Sequence, residues 1–220
     1  MLFKGVKAVL FDLDGTLVDT MEAFHNMVNE ILKKFNFPER SFDENVKLVG
    51  KPSKIIVETI IKETGLSISS EEFSRTMFRE WVYNYMPKYG KLYPDSLKVL
   101  RELKRRGYLL GVVSNTSKDE LPHYLESFRI KEFFNVAISS GDVKNPKPSP
   151  EPVLKAISVL SISPFETVMV GDRLEDVEAG RLAGTRTIAV FRGIRPKYEL
   201  EAAKPDFVIN ELSEILSILP

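Results

Sequence analysis

No cysteine occurs in the 220 residues, which excludes disulfide bridges, thiolate metal sites and cysteine nucleophiles. Net charge is missing too. The 31 basic and 31 acidic side chains cancel, removing any global attraction to nucleic acid or to an acidic membrane surface. No apolar run approaches the roughly 18 residues of a bilayer span. Met1-Leu2-Phe3-Lys4 leads straight into a strand-like segment, without the ordered regions of a secretory signal. Histidine is scarce: His25 and His123 lie far apart, without metal-ligating company. These absences set the expectation of a cytoplasmic protein with no nucleic-acid or membrane partner. They leave its oligomeric state open.

What is present is alternation. Lys7 to Phe11 is a short apolar run followed by Asp and Gly, the pattern of a strand buried on both faces of a parallel sheet. Leu109 to Val113, Val136 to Ser139, Thr167 to Val170 and Thr187 to Phe191 repeat it, with a weaker echo at Phe207 to Ile209. Helical patterns lie between them. One begins at Pro94, sets Leu97, Leu100 and Leu103 on one face and ends at Gly107. Others run from Pro150 to Leu160, from Asp172 to Ala183 and from Glu211 to Leu219. Such alternation predicts an α/β fold around a parallel, twisted sheet. Val18 to Gly90 breaks the rhythm with helical patterns at Thr20 to Phe35, Pro52 to Ile61 and Ser70 to Tyr85. An inserted all-helical subdomain is expected there, hinged near Val18-Asp19 and Tyr89-Gly90.

In open α/β sheets ligands bind beyond the carboxyl ends of the strands. After the first strand stands Asp12-Leu13-Asp14-Gly15-Thr16, whose two aspartates, spaced by two in extended chain, can both point toward one pocket. Ser114-Asn115-Thr116 follows the second strand, Lys147 lies between prolines after the third, and Gly171-Asp172 with Asp176 follows the fourth. Acids, a hydroxyl and a lysine thus converge on one sheet edge, an inventory suited to phosphoryl transfer. Asp12 and Asp172 offer the hard oxygens that Mg²⁺ prefers. Lys147 and the metal neutralise phosphate charge, and Ser114 holds the oxygens. A carboxylate can serve as nucleophile, and the second one, Asp14, could protonate the leaving oxygen and then deprotonate the attacking water.

On these residues the chain resembles the haloacid dehalogenase superfamily, in its phosphoglycolate-phosphatase-like branch with a helical cap. The resemblance covers essentially the whole sequence. It implies a Rossmann-like core of residues 1–17 and 91–220 and a helical cap of residues 18–90. It implies that Asp12 is nucleophile and metal ligand, and that Asp14 is acid and base and lends its backbone carbonyl to the metal. It further implies that Thr16, Ser114, Asn115 and Lys147 bind the substrate phosphate, that Asp172 binds Mg²⁺ and that Asp176 supports the metal and the lysine. The expected activity is Mg²⁺-dependent hydrolysis of a small phosphomonoester, of the phosphoglycolate, sugar-phosphate or nucleotide class, through an aspartyl-phosphate. Lys51, in a cap loop, is a candidate for pairing with an anionic group of the substrate.

Sugar-phosphate mutases of the same branch carry a cap histidine where this chain has Phe24, one position before His25. Metal-free haloacid dehalogenases generally lack the second aspartate, whereas Asp14 is present here. A non-catalytic binding homologue would typically have lost a carboxylate, and none is lost. Arg173, where many relatives carry serine, is expected to face solvent. The basic run Arg101 to Arg106 is expected to be the polar face of an amphipathic helix. The aromatic cluster around Phe78, Trp81, Tyr83 and Tyr85 is expected mainly in the interior of the cap, with a wall facing the substrate as the alternative reading.

Overall fold

Four consecutive apolar residues, Ala8–Phe11, form β1, and all four are buried. A segment with no polar face is stable only when both sheet faces are covered, so β1 sits near the centre of its sheet. The computed structural model describes residues 3–194 and 196–220. After β1 the chain makes a two-residue strand, β2 (Val18–Asp19), followed by α1 (Met21–Lys34), α2 (Phe42–Val46), α3 (Ser53–Thr64) and α4 (Ser70–Glu80). A π-helical turn (Trp81–Tyr85) carries α4 into α5 (Met86–Tyr89) and the short strand β3 (Lys91–Leu92). The remainder alternates: α6 (Ser96–Arg105), β4 (Leu109–Val113), α7 (Glu120–Ser127), β5 (Val136–Ile138), α8 (Glu151–Leu160), β6 (Thr167–Gly171), α9 (Leu174–Leu182), β7 (Arg186–Val190), α10 (Lys197–Ala202), β8 (Phe207–Ile209) and α11 (Ile215–Ile218).

The six longer strands form a parallel sheet in the order β5-β4-β1-β6-β7-β8, the α/β architecture expected from the alternation. Strand order reverses direction at β1, which creates a switch point and the crevice where such sheets bind ligands. Phe11 is paired with Val112 on one side and Val170 on the other. Asp12, Ser114 and Asp172 therefore leave the sheet at the same edge.

β2 and β3 pair antiparallel, Val18 with Leu92 and Asp19 with Lys91. This ribbon closes the base of the helical insertion and was not expected from the sequence, because two residues are too few for an alternation. One apolar cluster runs through the insertion and the sheet core, joining Phe24, Ile60 and Phe73 to Phe11, Leu100 and Val170. The basic run on α6 is amphipathic as expected. Leu100 and Leu103 are buried, and Arg105 and Arg106 both bond Glu102 on the surface. Arg106 also donates to the carbonyls of Leu216 and Leu219. No helix among the described residues is long and apolar enough to cross a membrane.

Candidate active site

Asp12 follows β1 directly, and its N–H donates to the carbonyl of Val170 at 2.8 Å. This backbone bond extends the ladder by one residue and fixes where the carboxylate begins. Lys147 Nζ donates to Asp12 Oδ1 at 2.6 Å, to Asp176 Oδ1 at 2.6 Å and to the carbonyl of Val113 at 2.7 Å. All three of its protons are thus used in a buried position. Burial favours the neutral amine, but the charges of Asp12 and Asp176 outweigh it and hold the lysine above its ordinary range. The other oxygen of Asp12, Oδ2, is buried without a hydrogen-bond partner among the described residues.

Asp12, Asp172 and Asp176 each bring one carboxylate oxygen into a group within 4.8 Å of one another. Burial raises Asp172 to about 8, aided by the charges of Asp12 and Asp176. Burial likewise raises Asp176 to about 7, with Asp12 adding to the shift and Lys147 opposing it. Asp12 is raised by burial and restrained mainly by Lys147. One ammonium does not neutralise three buried carboxylates, and an orphaned oxygen costs free energy. A hard divalent cation meets both deficits, so the donor set fits such an ion. Gly15 permits the packing: at φ +90° it turns the chain, and a Cβ there would lie 2.4 Å from Asp172 Oδ2.

The carboxylate of Asp14 points elsewhere. It accepts from Thr116 Oγ1 at 3.0 Å and from the Tyr124 hydroxyl at 3.1 Å, and burial raises its pKa. Thr16 Oγ1 donates to Asp172 Oδ1 at 2.8 Å, so this hydroxyl orients a carboxylate of the cluster. Ser114 Oγ donates to Thr116 Oγ1 at 2.9 Å. The side-chain amide of Asn115 accepts from the Lys147 N–H at 3.0 Å and donates to the Lys147 carbonyl at 3.0 Å. It thereby clamps the loop that presents the lysine.

Arg173 corrects the expectation of a solvent-facing side chain. It is only 5% exposed, donates to the Val49 carbonyl and pairs with Glu175 at 2.9 Å. It turns inward because the α2–α3 loop lies over it. Gly50 is at φ +82°, and a Cβ there would come within 2.7 Å of Arg173 Cδ. Asn115 Nδ2 also reaches this loop, donating to the Gly50 carbonyl at 3.2 Å.

Beside Asp14 a cavity of about 350 Å³ opens between the inserted helices and the sheet edge. Lys51 lines it, together with Phe24, Phe78 and Trp81. The aromatic cluster is therefore divided: Trp81 and Phe78 face the cavity, Tyr83 is exposed and Tyr85 stacks on Tyr89. His25 is turned away into a polar network with Asn29 and Asn45, and Phe24 occupies the cavity wall. Tyr124 escaped the sequence reading. Its helix, α7, has a weak apolar pattern, and nothing local marks a tyrosine as the partner of an aspartate 110 residues earlier.

A deep parallel sheet with buried acids and one lysine at its switch point defines an α/β enzyme, and comparison gives its kind. Residues 9–190 match the family model of haloacid dehalogenase-like hydrolases. Pyrophosphatase PpaX of Bacillus cereus (strain B4264) is 34% identical over 214 residues, spanning 97% of this chain and 96% of that protein. The crystal structure of a predicted phosphoglycolate phosphatase from Haemophilus somnus 129PT superposes with a TM-score of 0.86 at 26% identity, covering 98% of both chains. CbbY from Rhodobacter sphaeroides, solved in complex with phosphate, shares the fold with a TM-score of 0.84 at 23% identity, covering 96% of each chain. The chain belongs to the haloacid dehalogenase-like hydrolase family and is an enzyme of its phosphatase kind.

Proposed function

We propose that this enzyme hydrolyses a small phosphomonoester in a Mg²⁺-dependent reaction, with Asp12 as the group that is phosphorylated. The observation that carries the reading is the state of Asp12: one oxygen is pinned by Lys147, and the other is buried and unpartnered at the sheet edge. Asp12, Asp172 and the backbone carbonyl of Asp14 would hold the ion, with Asp176 supporting it. Bound there, Mg²⁺ supplies positive charge against the phosphate oxygens.

Asp12 attacks phosphorus as the bond from phosphorus to the leaving oxygen breaks, giving an acyl phosphate on Asp12. Asp14, kept protonated more readily by burial, gives its proton to the departing oxygen. The same carboxylate then takes a proton from the water that attacks phosphorus, and phosphate and free Asp12 are restored. Lys147 holds Asp12 in line and balances charge, while Ser114 and the Asn115–Thr116 loop seat the phosphate oxygens. Residues 18–90 act as a cap over a core of residues 1–17 and 91–220, opening to admit substrate and closing to exclude water. Phe24, in the place where mutases of this branch carry histidine, supports hydrolysis over phosphoryl transfer to a sugar.

Phosphate release from p-nitrophenyl phosphate, with Mg²⁺ and with a chelator, tests the reading. Wild type releases phosphate only with the cation, and Asp12→Asn loses at least about 1,000-fold in kcat, as expected when a nucleophile is removed. Metal-independent release, or an active Asp12→Asn, defeats it.

A further inference from the structure

We infer that the enzyme's preferred substrate carries an uncharged leaving group with an apolar ring, received in the cavity beside Asp14. This rests on the phosphatase reading and names the substrate class within it.

The acid proposed for leaving-group departure lies in the cavity wall. Whatever leaves with the proton of Asp14 must therefore occupy that space. Its wall is aromatic and continuous: Phe24 meets Trp81 edge-on at 6.1 Å between ring centroids, and Trp81 meets Tyr124 at 5.7 Å. Tyr124 in turn donates to Asp14 at 3.1 Å. A chain of ring contacts thus runs from the inserted helices to the acid. Met27, Ile56 and Met77 complete the apolar side and belong to the buried cluster of the molecule. A side wall of this kind rewards removal of apolar surface from water, while Thr20, Ser53, Ser74 and Ser117 give the cavity a separate polar edge.

Charge in the cavity points the same way. Lys51 and Arg75 are set against Asp119 and Glu120. Arg75 already pairs with Glu71 at 3.3 Å, and Glu120 is fixed by the Ser117 hydroxyl at 2.7 Å. With no excess of positive charge, a second phosphate or a carboxylate on the leaving group gains little there. At about 350 Å³ the space is at the small end of ligand sites and suits one or two rings.

The test compares 2-phenylethyl phosphate, ethyl phosphate and pyrophosphate with the Mg²⁺-loaded enzyme. The two esters leave as alcohols of similar basicity, so their ratio reports the cavity and not the chemistry. We expect kcat/KM for the phenylethyl ester to exceed that for the ethyl ester by about 100-fold, the value of burying roughly one ring. It should also exceed that for pyrophosphate. Trp81→Ala and the milder Phe24→Leu should each shrink the ester ratio at least about fivefold. Trp81 is the single tryptophan of the chain, so its emission reports occupancy without turnover. It should respond to 3-phenylpropylphosphonate at concentrations about 100-fold below those needed of propylphosphonate. Turnover with equal ester constants, or with pyrophosphate preferred, overturns the inference and leaves the phosphatase reading standing. Ring-selective binding with no turnover of any substrate upholds the cavity assignment and overturns the phosphatase reading. Absence of both overturns both.

Discussion

Tyr124 donates one hydrogen bond to Asp14, the acid of the proposed mechanism. The buried Asp14 accepts from Thr116 and Tyr124, one on each oxygen, and these bonds fix the plane of its carboxyl group. Tyr124→Phe removes one donor with little change of shape. Bonds to a group that carries charge contribute about 1.5–3 kcal/mol, so kcat is expected to fall at least about tenfold. Steady-state kinetics with ethyl phosphate, whose short leaving group barely reaches the ring, should show KM changing less than about twofold. An unchanged kcat would remove Tyr124 from the account. At this scale the sequence was legible where chemistry is concentrated in short motifs at strand ends. Asp12, Lys147 and the pair Asp172 and Asp176 arrive together from three separate segments. Tyr124 and Arg173 were not legible, because their partners lie 110 and 124 residues away in the chain and no local pattern encodes such pairings.

Between elements, the α2–α3 loop is the contact that matters most. Arg173, one residue after Asp172, and Asn115, one residue after Ser114, both bind carbonyls of this loop. This loop of the helical insertion therefore adjoins the residues proposed to bind metal and phosphate, and the Asn115 amide that holds Gly50 also holds the Lys147 backbone. Arg173→Ala should loosen the loop while leaving every side-chain hydrogen bond of Asp12 and Asp172 in place. Hydrogen exchange over residues 47–56 is expected to rise, and KM to rise about three- to tenfold, as when part of the binding energy goes to closure. Unaltered exchange in this variant would show that the loop is held by other contacts. The strands and long helices that frame the loop were readable because a buried strand or an amphipathic helix repeats its signal over many residues. α2, the β2–β3 ribbon and the π-helical turn at Trp81–Tyr85 were not, since five residues or fewer carry too little periodicity to register.

For the molecule as a whole, the carboxylate cluster ties folding stability to pH and to the cation. Asp172 at about 8 and Asp176 at about 7 hold protons in the folded, metal-free chain, whereas unfolded aspartates titrate near 3.8. The folded state binds more protons across that interval, so stability is complete in acid and declines as pH climbs from about 4 to about 8. A cation that binds the ionised cluster reverses the penalty and stabilises by mass action. Thermal melts of chelated protein should give a higher Tm at about pH 5.5 than at about pH 8.5, with the gain from Mg²⁺ larger at the higher pH. Equal gains at both would separate the cation from these acids.

The central claim is that Asp12 becomes phosphorylated, and one measurement reaches it directly. Enzyme turning over ethyl phosphate with Mg²⁺ is quenched in acid, reduced with borohydride and mapped by peptide mass spectrometry. An acyl phosphate at Asp12 is reduced to homoserine, so the account predicts homoserine at position 12, dependent on both substrate and cation. Steady phosphate release with residue 12 recovered only as aspartate would contradict it.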